Sequence, residues 1–238
     1  MAVSFFADHP WTRHFVYRRE QLKTTWKFRA LFLTVISIGV WLTSGWWTVA
    51  VARSLVCESN AAPSDVILIE NLDPHYLPFE EAARLRRAGL ASRVIIPIKF
   101  DAKTLQPNMV SLGTANLMAS IAHLGSFEIV PMKEIEPISL NVARDVLRFA
   151  QREKVRSVLV VSPYFRSRRT SLIYAATLGS AGISVSCNPV RGSQGDALWI
   201  RSGHGIQNVA EQWLKLQYYR FYVLPFHAGA ERYSQARL

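Results

Sequence analysis

Five short apolar runs recur after Ser64: DVILIE (65–70), RVIIPIK (93–99), FEIVP (127–131), SVLVVS (157–162) and ISVSC (183–187). Runs of five to seven such residues suit strands buried on both faces, which a parallel sheet requires and a half-solvated antiparallel sheet does not. Longer amphipathic stretches near 79–88, 112–124, 140–153 and 168–178 separate the runs, and another follows near 205–222. Regular alternation of strand and helix leaves few topologies. The pattern predicts a doubly wound, Rossmann-like α/β domain with a mostly parallel sheet over residues 64–224. DVILIE and SVLVVS should be adjacent central strands, with ligands bound beyond the strands' carboxyl ends.

A second feature precedes that domain. Ala30 to Ala52 contains no charged residue. As one helix it would rise about 35 Å, enough to cross a bilayer. Arg13, Arg18, Arg19, Lys23, Lys27 and Arg29 stand before it, and only Arg53 stands close behind it. The positive-inside rule then predicts a cytoplasmic arm (1–29), a single transmembrane helix (30–52), a linker (53–63) and an extracytoplasmic domain. That places the chain in a bacterial inner membrane, with the lipid bilayer as a partner. A cleaved signal peptide is the alternative, although signal cores are shorter. Residues 225–238 read as a flexible tail.

The formal net charge is +11 over 238 residues. It is divided between the arm and the domain, which suits anionic lipid and anionic ligands. A nucleic-acid protein would show a denser basic stripe, so no nucleic-acid partner is expected. No Cys/His cluster has metal-ligand spacing, so no metal site is expected. Cys57 and Cys187 are the only cysteines. An extracytoplasmic setting permits a disulfide, but their predicted positions look distant.

Two helices treat charge differently. LPFEEAARLRRAG (77–89) reads as Pro78 at the start, Glu80 and Glu81 in the first turn, arginines toward the end and Gly89 as the stop. Every charge there agrees with the helix dipole. In VLVVSPYFRSRRTSLIY (158–174), Arg166, Arg168 and Arg169 sit where a helix begins, the wrong sign for that end. Violations of local rules gather at functional sites. A phosphate, pyrophosphate or carboxylate would satisfy both the N–H groups and the guanidinium forks. The alternatives are a solvated face, or ion pairs with Glu70, Asp73, Glu134 or Glu136. Adjacent helical positions point about 100° apart, so where Arg169 lines the crevice Arg168 should be the solvent-facing or acid-paired member.

The run ISLNVARDVLRFAQREKVRSVLVVSPYFRSRRTSLIYAATLGSAGISVSCNPV resembles the second half of the ElyC/SanA/YdcF family, a bacterial envelope-associated domain of unknown function. Matching positions are Asp65 on the first strand; Ala82, Leu85 and Gly89 in the first helix; Ser139 and Asn141 in a polar turn; and Ser162 and Arg169 in the strand-to-helix turn. The close, through Trp199, Glu211, Lys215, Leu216, Tyr218 and Tyr219, is also similar. The resemblance spans about residues 64–222. It implies an anchored, envelope-side domain. Three departures stand out. ENLDPHY after the first strand has no glycine, Arg166 replaces the family's histidine, and Asn141-Val142 replaces a Glu-Asn pair. Some members are described as binding S-adenosylmethionine; without the glycine turn that cofactor is not carried over, and none is expected.

Together these readings make Arg166, Arg169, Ser162, Ser139, Asn141 and His75 the candidate ligand-binding residues. His75 is the one histidine placed to substitute for the missing family histidine. No catalytic residue is assigned. The expected function is a membrane-anchored envelope-biogenesis factor that binds an anionic, phosphate-containing cell-wall or polysaccharide intermediate, such as a lipid-linked phosphate. A non-catalytic accessory protein, and an S-adenosylmethionine- or nucleotide-dependent enzyme, are the alternatives.

Overall fold

A computed structural model describes residues 25–70, 75–101, 106–192 and 198–226. Most of the basic arm, the 71–74 part of ENLDPHY including Asp73, and the tail from 227 lie outside the described residues.

All five expected strands form: β1 (Val66–Ile69), β2 (Arg93–Lys99), β3 (Glu128–Met132), β4 (Ser157–Pro163) and β5 (Ser184–Val190). They make one parallel sheet in the order β3-β2-β1-β4-β5. DVILIE and SVLVVS are indeed adjacent, with Ile67 opposite Leu159 and Ile69 opposite Val161. Successive side chains on a strand point to opposite faces, so each central strand feeds two cores. Val66, Leu68, Val158 and Val160 enter one core; Ile67, Ile69, Leu159 and Val161 enter the other.

The helices cover both faces. α3 (Tyr76–Arg87) and α4 (Met109–Ile121) supply Phe79, Ala82, Leu85, Ala115 and Ala119 to the second core. α5 (Ile138–Arg152) and α6 (Ser167–Gly179) supply Leu140, Val146, Phe149, Ile173 and Leu178 to the first. This is a doubly wound, Rossmann-like α/β fold whose switch point lies between β1 and β4. α3 starts two residues before Pro78, so Glu80 and Glu81 fall beyond its first turn. Gly89 ends the expected pattern at φ +78°, a conformation an L side chain resists.

The run Ala30–Ala52 does not form the single 23-residue helix expected of it. It breaks at Thr43 into α1 (Trp26–Leu42) and α2 (Ser44–Ser54). Neither is long and apolar enough to cross a membrane alone; only the two together pass by length and composition. The 17 residues of α1 rise about 26 Å, short of a hydrocarbon core of about 30 Å. From Ala30 onward α1 has no charged residue, and Leu31, Phe32, Leu33 and Ile36 are exposed.

From Gly45 onward the chain belongs to the α/β body. Thr48 and Ala52 are buried there, beside Leu55, Trp199, Val209 and Leu216. The Trp199 indole N–H donates to the Thr48 carbonyl (3.1 Å), and Trp47 meets Trp199 edge to face. These contacts interrupt the run: a segment packed on an α/β domain cannot also continue as a lipid-facing helix. Trp199 leads into α7 (Gly203–Tyr218), which a π-helical turn, Tyr219–Val223, extends.

The cysteines correct another expectation. Cys57 and Cys187 form a disulfide, with Cα atoms 6.5 Å apart. The segment read as a linker lies along β5 and α6. Asn60 exchanges bonds with Cys187, through N–H to carbonyl (3.1 Å) and Cys187 N–H to Oδ1 (2.7 Å). Cys57 N–H donates to Ser167 Oγ (3.0 Å). Sequence spacing hid this proximity because the 130-residue separation is closed by the winding of the sheet.

Candidate functional site

The carboxyl ends of β1 and β4 lie side by side, which places Glu70, the residue after β1, and Ser162, next to last in β4, at the switch point. Both are buried. The Glu70 N–H donates to the Val161 carbonyl (3.1 Å), and its Oε2 accepts from Thr170 Oγ (2.6 Å). Ser162 Oγ is fully buried, with no hydrogen-bond partner among the described residues. Beneath them, burial first, then the carboxylates of Glu70 and Asp145, push the Tyr174 phenol well above its ordinary pKa. It therefore stays neutral.

From β4 the chain turns through a short 3-10 segment, Tyr164–Arg166, into α6. Ser167 locks this junction: its hydroxyl donates to the Tyr164 carbonyl (2.7 Å) and accepts from Cys57 N–H. The Arg168 N–H, one of the helix's first-turn donors, reaches the Leu55 carbonyl (2.9 Å). The three arginines divide as helical geometry requires. Arg168 is exposed, whereas Arg169 is 6% and Arg166 is 7% exposed. The Arg169 guanidinium lies 5.7 Å over the Tyr219 ring, a cation–π contact that offsets part of its burial cost.

Two cavities open at this end of the sheet, and Arg166 lines both. The first, about 300 Å³, is shared by His75, Pro78, Val190, His204 and Gln212. The second, about 380 Å³, is shared by Ser139, Arg169, Lys215, Tyr218 and Tyr219, with Glu134 and Glu136 also on its wall. Glu134 pairs with Lys99, and Lys215 pairs with Glu211 at 2.5 Å.

Of the sequence-predicted residues, Ser139 joins Arg166 and Arg169 at the second cavity, where its N–H donates to the Tyr219 hydroxyl (3.2 Å). His75 joins Arg166 at the first. It is exposed at the start of α3 and makes no capping bond with its side chain. Ser162 lies sealed under the turn and is on neither cavity wall. Asn141 lies elsewhere: its amide donates to the Ile135 carbonyl (2.9 Å) and its oxygen accepts from Arg144 (3.1 Å), so both ends hold local structure. Asp65 is at the opposite, amino end of the sheet, accepting from the N–H groups of Arg156 and Ser157. Those bonds, the Arg156 N–H foremost, hold its carboxyl below the usual range.

Sequence reasoning missed Gln212, whose Oε1 is buried without a hydrogen-bond partner among the described residues and whose side chain lines the first cavity. It also missed Tyr219 as the ring beneath Arg169. The signal was present in the GQ-rich, aromatic pattern of the last helix, but nothing in it says that the helix returns over the switch point.

No protein-family model matches this chain, and no curated protein matches it. One similar solved structure is described as the crystal structure of the aureusimine biosynthetic cluster reductase domain. It is 13% identical, with a TM-score of 0.27, over 48% of this chain and 38% of that one. Likeness at that level says nothing about the site.

Proposed function

We propose that this chain is a membrane-anchored cell-envelope factor whose α/β body lies outside the cytoplasm and binds an anionic, phosphate-bearing cell-wall or polysaccharide intermediate. The observation that carries the reading is the convergence of Arg166, Arg169, Lys215 and Ser139 on one cavity at the carboxyl end of a doubly wound sheet. Such crevices are where this fold class holds ligands, and planar guanidinium forks suit phosphate oxygens. The turn that presents the arginines is held by Ser167 against the disulfide-bearing segment, so the forks are pre-positioned.

The disulfide supports the location, because structural disulfides persist in oxidising compartments. The basic arm ahead of the apolar run supports a cytoplasmic N-terminus. The resemblance to the ElyC/SanA/YdcF family points the same way. The anchor in this reading is α1. Binding is the core of the proposal; no bond-breaking step is assigned.

The test is calorimetry on the full chain in neutral detergent, titrated with a short-chain prenyl phosphate and with the matching prenyl alcohol. Binding of the phosphate alone, weakened at least tenfold (about 1.4 kcal/mol) by Arg169→Lys, is expected. Equal binding of the alcohol would refute the anionic reading. Protease added to intact spheroplasts should digest the body, and full protection beside a digested external control would refute the topology.

A further inference from the structure

A different cavity, on the side of the body where α2 ends, carries a charge pattern that the proposed ligand site does not use. It measures about 690 Å³ and brings together Arg53, Arg168, Arg191 and Arg220. These come from four separate elements: the last turn of α2, the first turn of α6, the residue after β5 and the π-helical turn. Among the described residues, Glu58 is the only acidic side chain on its wall. None of the four arginines is in an ion pair among the described residues, whereas Arg84, Arg93, Arg148 and Arg152 each are. Arg191 stacks on Tyr164 at 5.3 Å and Arg220 on Phe221 at 5.5 Å, contacts that orient a guanidinium without neutralising it.

Four like charges do not gather by chance at one concavity, because each lowers the stability of the others. The scaffold beneath them is covalently and hydrogen-bond braced. Cys57, disulfide-bonded to Cys187, lies in the wall, and Arg168 N–H is bonded to the Leu55 carbonyl. A bidentate donor set of this kind is suited to the oxygens of a phosphodiester or phosphomonoester.

The surroundings indicate where the phosphate comes from. Arg53 is the first charged residue after the uncharged run Ala30–Ala52. Trp46, about two turns before the end of α2, is 77% exposed. The helix that carries Arg220 exposes Leu214, Tyr218, Phe221, Tyr222 and Phe226, which recur at spacings of three to four residues and so share a face. Arginines interleaved with exposed aromatic rings are the composition of a surface that rests at a bilayer's headgroup level. Anionic headgroups attract such a surface electrostatically.

We infer that the four-arginine cavity seats the headgroup phosphate of an anionic membrane phospholipid. The site thereby fixes the body against the bilayer. This rests on the anchored reading for the source of the ligand, but not on Arg166, Arg169 or the cavity they line.

The experiment is native mass spectrometry of the full chain, released from neutral detergent containing phosphatidylglycerol, phosphatidylcholine or inorganic phosphate. Wild type should retain phosphatidylglycerol at least tenfold better than phosphatidylcholine. Combined Arg53→Gln, Arg168→Gln, Arg191→Gln and Arg220→Gln should abolish that preference. All four side chains are exposed, so an unchanged circular dichroism melt is expected to accompany the loss. A control with four paired arginines replaced, at positions 84, 93, 148 and 152, should keep the preference. Retention by the first variant, or equal loss in the control, would overturn the assignment. Inorganic phosphate that competes fully at concentrations equal to the lipid's would assign the cavity to a soluble anion instead. Arg169→Lys should leave lipid retention unchanged, so failure of the prenyl phosphate test and failure of this one are separable.

Discussion

The two ends of the sheet handle charge in opposite ways. At the amino end several ionised groups are answered locally. Arg93 forks onto Glu128 (2.7 and 2.8 Å) and also reaches Glu153, Arg86 caps the carbonyls of Leu124 and Ser126, and Asp65 takes two backbone N–H groups. At the carboxyl end and beside α2, positive groups outnumber negative ones in each basic cavity, and the most buried arginines are stacked on or packed against rings and turns. The same chain and the same residue types are involved, so composition does not account for the difference. The carboxyl end gathers more basic than acidic side chains on its cavity walls among the described residues, the feature on which the proposed anion site draws.

The largest effect expected concerns the scaffold at that end. The disulfide spans 130 residues, and a loop of that length corresponds to roughly 3–5 kcal/mol of stabilisation through the unfolded chain. Paired Cys57→Ser and Cys187→Ser should shift the urea midpoint accordingly, and reductant should reproduce the shift in wild type. Coincident melts with and without reductant would show that the carboxyl end needs no such brace.

Arg169 comes next. It is buried on Tyr219, so removing it is not structurally neutral, contrary to what a solvated helix start would suggest. Arg169→Ala should cost about 1–2 kcal/mol of stability, from lost stem packing and cation–π contact. Arg169→Lys should restore most of that while leaving ligand affinity low. Recovery of both by lysine would mean that a point charge suffices and that the fork is not used.

At the amino end, Arg93→Gln should cost no more than about 1 kcal/mol, because the pair with Glu128 is partly exposed. It should leave anion binding untouched. A change in affinity there would break the contrast between the two ends.

Acid should expose the same contrast through protons. Asp65 is held below the usual carboxylate range by backbone N–H groups, Glu81 by Arg84 and then Asn188, and Glu128 by Arg93. Their folded-state pKa values are depressed, so the unfolded chain binds more protons as the pH falls. The stability they contribute is present above the unfolded values, about 4, and is lost as pH drops through the folded ones. Replacing Asp65 by Asn should flatten the stability profile below about pH 4, measured by urea melts, and an unchanged slope would remove Asp65 from that account.

The smallest effect expected is at Ser162. Its hydroxyl is buried without a hydrogen-bond partner among the described residues, so Ser162→Ala should be neutral or stabilising, within about 0.5 kcal/mol. A loss of more than 1 kcal/mol would reveal a bond that the described residues do not supply.

What the sequence by itself determined is the α/β layout, because strand and helix periodicity are local and the run lengths of β1 and β4 admit only a sheet covered on both sides. It determined that Arg168 and Arg169 diverge, since adjacent helical positions point about 100° apart. Tertiary structure alone decided the rest. Cys57 meets Cys187 only because the crossover through α6 returns β5 alongside the segment after α2. The uncharged run divides at Thr43 because Trp199 and Leu216, far along the chain, offer its second half a surface to bury against. Asn141 leaves the candidate site, and Gln212 and Tyr219 enter it, for the same physical reason: long-range packing chooses among side-chain directions that local pattern leaves equivalent.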